Sequence, residues 1–363
     1  MTDLSKTTVA ETCPHRLVGH GVRTIQQTLL AMADYVDPHL AKDVYGLGDS
    51  IRRFEEKVAA CLGKEAALFM PSGTMAQQIA LHLWADRSRR TNVGMHPTCH
   101  LYMHESDAYA EMHRLTAVLV GEPTRQLVPA DLASVKVPLG SLVLELPQRH
   151  NGGSLPSWSE LLAMREWAKA NGAAFHLDGA RLWEAKTFYG KSEGEISALF
   201  DSTYVSFYKG LGGIGGAALA GSVDMIEQAR VWLRRHGGNL IHLFPLVVAA
   251  EMGFERYRPR MPDYVARAKE IGAVVNSLAH LKVTPRVPQT NMMHITFGKP
   301  EKVVEAAALE VSAETGLWIL GALWTRPFAP TEPVFELTVG EAAMAAGMEL
   351  ITQALQALDA RLA

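Results

Sequence analysis

The sequence predicts an α/β fold: a large domain with a mostly parallel sheet and helices on both faces, then a small C-terminal α+β domain. Three observations predict it. The runs Ala174–Leu177 and Thr203–Tyr208 are short and apolar or β-branched, and each stops at a charged residue before a glycine, Asp178-Gly179 and Lys209-Gly210. Such runs read as buried strands of a parallel sheet. Segments with helical spacing alternate with runs of this kind as far as about Tyr257. Beyond Pro262 the order changes to helix, strand, helix, strand, strand, helix, the pattern of a compact α+β unit. The length, 363 residues, suits about two domains. The expected division is residues 1–42 as an arm and first helix, 43–250 as the large domain and 251–363 as the small one.

In chain order, residues 1 to about 22 lack periodicity. Val22, Ile25, Leu29 and Met32 then recur at helical spacing, so a helix is expected over Val22–Ala33. Asp49 or Ser50 is the expected cap of a helix through Leu62, and Glu65–Met70 reads as a strand. Pro71-Ser72-Gly73-Thr74-Met75 leads into a helix Ala76–Trp84. Leu115–Val120 and Ser141–Leu146 are further strands, the second running into the polar loop Pro147–Gly153. Ser157 or Ser159 caps a helix that ends at Asn171-Gly172. Gly216–Gly221 reads as a strand, Val223–His236 as an arginine-rich helix, and an apolar helix follows to about Tyr257. The C-terminal part is expected as helix Asp263–Ala279, strand Asn291–Phe297, helix Pro300–Thr315, strands Leu317–Leu320 and Phe335–Val339, and helix Glu341–Leu358.

Composition narrows the partners. Hydrophobic residues at 48% and charged residues at 20% exclude a disordered chain, and a net charge of −3 gives no basic footprint for nucleic acid. The most apolar stretch, Leu240–Ala250, contains His242 and Pro245 and is too short to span a bilayer. Cys13, Cys61 and Cys99 stand far apart, which suits a reduced compartment, and the first residues lack a signal-peptide pattern. The expectation is a cytoplasmic protein whose partners are small molecules and its own copies, with neither nucleic acid nor membrane.

Parallel-sheet enzymes place their chemistry at the carboxyl ends of strands, where Asp178 and Lys209 stand. An acid and a lysine there suit pyridoxal 5'-phosphate (PLP). The lysine forms the Schiff base, and the acid keeps the pyridine nitrogen protonated so that the ring accepts electrons. The plain alternative is two strand-end turns. Ser72-Gly73-Thr74, opening a helix, offers amide protons and a helix dipole to a phosphate, or is simple capping. Gly210, Gly212 and Gly215 spell G-x-G-x-x-G, but a strand-like run follows where a dinucleotide fingerprint needs a helix. His96, Cys99, His100 and His104 invite a metal, yet no distant second ligand pair accompanies them, so no metal is expected. A neutral imidazole here also suits proton transfer. The planar fork of Arg181 suits an amino acid carboxylate.

Asp178-Gly179-Ala180-Arg181 and Ser206-x-x-Lys209-Gly210-Leu211-Gly212, with the segments above, resemble the threonine aldolase and β-eliminating lyase family of fold-type I PLP enzymes. The similarity runs from about Asp43 to the C-terminus. It implies that Ser72, Gly73 and Thr74 hold the cofactor phosphate, and that His100, in the context H-x-Y-x-x-E, stacks on the ring. It also implies that His150 of His150-Asn151-Gly152 meets a substrate hydroxyl and that Arg181 lies at the cofactor and substrate. Tyr45, in Asp43-Val44-Tyr45-Gly46, is expected near a neighbouring subunit's site. Arg234, about 25 positions beyond Lys209, is expected to reach a phosphate across a dimer. A homodimer or homotetramer with sites at subunit interfaces follows.

This chain departs from the family at several points. Pro147 and Gln148 replace an acid and an amide before His150, and no segment like L-R-S-D-T precedes residue 43. The last strand, Val334-Phe-Glu-Leu-Thr-Val339, lacks the family's carboxylate-binding arginine. Arg326 is the expected substitute, while Glu336 would repel a carboxylate. The expected activity is a PLP-dependent aldolase that splits Cα from Cβ of a threonine-like β-hydroxy-α-amino acid. The alternatives are β-elimination or side-chain transfer on a related amino acid, or, in another class, a nucleotide-binding module.

Overall fold

A computed structural model describes residues 6–319, 321, 323–326 and 329–363. Its central sheet has seven strands in the order Ala66–Met70, Ala217–Gly221, Ser202–Ser206, Ala174–Gly179, Ser141–Glu145, Asn92–Met95 and Thr116–Leu119. Ala217–Gly221 runs against both of its neighbours, and the remaining pairings are parallel. Glycine-rich residues 210–216 therefore lead into a strand, which leaves the dinucleotide fingerprint without its helix. The strand Asn92–Met95 escaped the sequence reading because its short run contains Gly94, a weak strand former.

The sheet belongs to a unit made of Thr24–Gln148 and Leu155–Pro259. Its core includes a ring cluster of Phe54, Phe69, Phe207, Trp183 and Phe254, with centroid separations of 5.0 to 6.1 Å. Phe207 is fully buried there, and burying a phenylalanine contributes about 1.5–3 kcal/mol, so the turn carrying Tyr208 and Lys209 is anchored. The helix Ile25–Tyr35 starts three residues later than expected, because Thr24 and Gln27 form a reciprocal cap. Gly48, rather than Asp49 or Ser50, takes the cap position of Asp49–Leu62.

The second unit comprises residues up to Arg23, Arg149–Ser154 and Arg260–Ala363. The expected boundary after residue 250 thus moves to Pro259, since the apolar helix Phe244–Tyr257 stays with the first unit. The arm is not structureless. It forms the helix Lys6–Thr12, and His15–Arg16 pair in parallel with Leu317–Trp318. Of the expected strand over 317–320, Leu320 lies outside the described residues. An antiparallel sheet orders Leu323–Arg326, Ala329–Thr338, Met292–Thr296 and Lys282–Thr284. Sequence reading missed the first and last of these and shortened the second, whose start holds Pro330 and Pro333. The expected helix over 341–358 is two helices, Glu341–Ala346 and Met348–Arg361, broken at Gly347 with φ +76°.

Candidate active site

Register across the parallel strands aligns Glu145 with Asp178 and Asp178 with Tyr204. Residues aligned in this way project from the same face of a sheet, so two acids and a phenol form one row. Asp178 is 2% exposed. Burial first, then the charge of Glu145, push its carboxyl well above the usual range, while His100 pulls the other way. A buried acid of this kind ionises readily only when a cation faces it, and a protonated pyridine nitrogen is such a cation. That chemistry fits PLP.

A helix crosses the same face. Gly73–Ser88 sets Gln77 Oε1 2.7 Å from His176 Nε2, and Trp84 donates to Ser202 Oγ at 2.8 Å. His176 Nδ1 lies 2.7 Å from the same Ser202 oxygen. Burial drives His176 down to about 3, so the imidazole is neutral and serves as a structural link. Ser72 caps the helix, its Oγ accepting from Met75 N at 3.3 Å. The first-turn amides of Gly73 and Thr74 have no partner within the helix, which leaves them suited to an anion. Gly73 makes room for Tyr204: a Cβ there would lie 1.9 Å from the Tyr204 hydroxyl, which would have to shift.

His100 begins the helix His100–His104, and its backbone N–H donates to Glu145 Oε2 at 3.3 Å. Its Nδ1 lies 3.0 Å from Glu105 Oε1, and Gln78 Nε2 donates to the other oxygen of Glu105 at 2.8 Å. A carboxylate accepts, so Nδ1 carries a proton in this pair. Glu105 closes the H-x-Y-x-x-E context, but nothing in the sequence tied it to the imidazole. His96 is engaged elsewhere, with Nδ1 2.9 Å from Thr98 Oγ1 and Nε2 2.9 Å from the carbonyl of Glu122. Among the described residues no group of three or more His, Cys, Asp or Glu side chains is placed to hold a metal.

Lys209 is half-buried, three residues past the strand Ser202–Ser206, which neighbours the strand of Asp178. Gly212, at φ +63°, lets the chain fold back so that its N–H donates to the Lys209 carbonyl at 2.9 Å. Lys209 Nζ lies over the Tyr208 ring, 5.4 Å from its centroid. Arg181 is half-buried at the N-cap of the helix Leu182–Tyr189. Tyr45 and Arg234 line a separate cavity of about 420 Å³ with Glu55, Arg230 and Asn239, and its lining includes neither Asp178 nor Lys209. The Asp43 carboxylate shapes its rim by accepting from the N–H groups of Gly46, Leu243 and Phe244.

In the second unit, His150 of the polar loop is 3% exposed. It packs edge-on to Trp324 with centroids 5.2 Å apart. Arg149 Nε donates to Glu336 Oε2 at 2.6 Å, and its guanidinium lies 5.5 Å from the Trp324 centroid. The repulsion expected of Glu336 is therefore offset by a cation that the sequence reading overlooked. Arg326 is ion-paired with Glu332.

Comparison with known proteins agrees with this geometry. The family model for beta-eliminating lyases matches residues 29–297. Low-specificity L-threonine aldolase 1 of Arabidopsis thaliana is 28% identical over 289 residues, covering 77% of this chain and 80% of the relative. A solved structure from Listeria monocytogenes, provisionally described as an L-allo-threonine aldolase, has a TM-score of 0.93 at 41% identity over 98% of both chains. One from Exiguobacterium, provisionally described as an aromatic amino acid beta-eliminating lyase/threonine aldolase, has a TM-score of 0.92 at 38% identity, covering 98% of this chain and 99% of that one. A Sphingomonas wittichii serine palmitoyltransferase, at 14% identity and a TM-score of 0.70, shares the fold. With matches that span both sequence and fold, the chain belongs to the beta-eliminating lyase family.

Proposed function

We propose that the chain is a PLP-dependent aldolase that cleaves the Cα–Cβ bond of a threonine-like β-hydroxy-α-amino acid into glycine and an aldehyde. The observation that carries the reading is Asp178 near the carboxyl end of one strand, Lys209 just past its parallel neighbour, and His100 backed by Glu105. Bound PLP supplies the electron sink for the carbanion left at Cα. Asp178 would hold the proton on the pyridine nitrogen, and Lys209 would hold the cofactor through its amine. The amides of Gly73 and Thr74, with Ser72, hold the phosphate. His100 would lie at the cofactor ring, where its Nε2 would accept the β-hydroxyl proton. Arg181 grips the carboxylate.

The partner is a small amino acid, and no helix among the described residues is long and apolar enough to cross a membrane. We place the enzyme in the cytoplasm as a homodimer or homotetramer. In that arrangement Tyr45 and Arg234, which share one cavity, serve a neighbouring subunit's site.

The test is direct. Lys209→Ala is expected to lose both turnover and the visible absorbance of bound cofactor, at about 410–430 nm. Borohydride reduction of the wild type should leave the pyridoxyl group on Lys209 by peptide mapping. Label on another lysine would end the assignment, and pyruvate with ammonia in place of glycine and aldehyde would move the reaction to β-elimination.

A further inference from the structure

Two buried acids stand side by side in the row Glu145, Asp178 and Tyr204, and only Asp178 has a part in the proposed chemistry. Glu145 and Asp178 are register partners on adjacent parallel strands. Residues aligned in this way share a face of the sheet, with their backbones about 4.8 Å apart. Glu145 is 8% exposed and Asp178 2%. Like charges opposite each other on neighbouring strands repel, and burial removes the water that would screen them. Two carboxyl groups so placed hold one proton between them, because ionising both is unfavourable.

A backbone N–H donates to each acid, Ala180 N to Asp178 Oδ1 at 3.2 Å and His100 N to Glu145 Oε2 at 3.3 Å. Around the pair stand Glu105, a third buried acid, and the Cys99 thiol and Tyr204 phenol, both kept protonated by burial. His100 is the group of this set that can turn cationic, and its Nδ1 is engaged with Glu105 at 3.0 Å. We propose that Glu145 and Asp178 form a proton-sharing pair, in which Glu145 is the positioning residue that keeps a proton at Asp178 until a pyridine nitrogen takes it. The O–H bond at Asp178 then breaks as the N–H bond forms, and the oxygen keeps the electron pair. Burial and Glu145 both push Asp178 upwards, the direction that a shared proton requires. The inference rests on the PLP reading of the site.

Cofactor-free protein titrated with PLP across a range of pH tests the pair without turnover. Affinity should stay level while the pair keeps its proton and fall about tenfold per pH unit once that proton is lost. With Asp178 raised to about 7, the wild type should turn near pH 7. Glu145→Gln keeps an oxygen for the His100 N–H but removes the charge, so its turning point should lie about one unit lower. Titrations of the cofactor itself are common to both proteins and cancel in the comparison. Glu145→Asp keeps the charge and should restore the wild-type turning point to within about half a unit. In the wild type, infrared difference spectra taken below the turning point should lose the carbonyl stretch of a protonated carboxyl group as PLP binds. Coincident turning points in wild type and Glu145→Gln would overturn the inference, and an equal loss of affinity at every pH would make Glu145 a support for His100 alone. Spectra without the carboxyl loss would overturn it as well. A wild-type protein that takes up no PLP would remove the PLP reading and this inference with it.

Discussion

Asp178 is a carboxylate whose surroundings oppose its charge, since it is buried and faces Glu145 in register. Such a group gains from a bound cation, and the proposed pyridinium would supply one. Asp178→Asn keeps the shape but loses the charge. It should still bind PLP while kcat falls about 100-fold, or ~2.7 kcal/mol of transition-state stabilisation. Turnover near wild type in this variant would require a different electron sink. The two residues of the strand-end pair were legible because each follows a strand-like run at a turn. Glu145, Glu105 and Arg149 were not, because their meaning depends on partners that register and folding bring together. Glu145 meets Asp178 only through strand alignment, and Arg149 meets Glu336 across 187 positions of sequence.

Among the elements, the helix Gly73–Ser88 decides most about the proposed phosphate site. Gly73, Gln77 and Trp84 form a stripe that meets Tyr204, His176 and Ser202 of the sheet. Gly73→Ala would force the Tyr204 hydroxyl away. Overpacking of this kind costs about 1–3 kcal/mol, so PLP affinity should drop at least about fivefold with helix content unchanged by circular dichroism. Unaltered affinity would separate the turn from the phosphate. Capping at Ser72 was among the sequence-based alternatives and is present, but it occupies only one first-turn amide. A cap and an anion site can therefore coexist in one turn.

At the scale of the whole molecule, stability is tied to a stack of imidazoles in the first unit. His113 lies between His82 and His236, with centroids 4.7 and 5.1 Å away, and Trp232 packs against His82 at 4.0 Å. The stack joins the helices Gly73–Ser88, Ala108–His113 and Val223–Arg235. Burial holds all three histidines below their usual range, and His113 falls to about 4 with help from its two neighbours. A base whose folded pKa is lowered contributes stability above its unfolded value, and that stability is lost as pH falls towards the folded value. The melting temperature should therefore decline as pH drops from about 6.5, the ordinary histidine value, towards 4. His113→Gln should make that decline shallower. A profile of unchanged slope would assign the acid sensitivity to other groups.

By itself, the sequence determined the α/β class, the order of most strands and helices, and the family, because these rest on local signals. Short apolar runs, capping residues and contiguous motifs around Asp178 and Lys209 are readable wherever they occur in a chain. Tertiary structure alone decided the pairing of His15–Arg16 with Leu317–Trp318, the membership of Arg149–Ser154 in the C-terminal unit, and the contacts of Tyr204, Glu105 and Arg149. Those facts follow from strand register and from packing between segments distant in sequence. Neither leaves a periodic trace, since a tyrosine in a β-branched run reads the same whether its hydroxyl meets solvent or a glycine at a helix start.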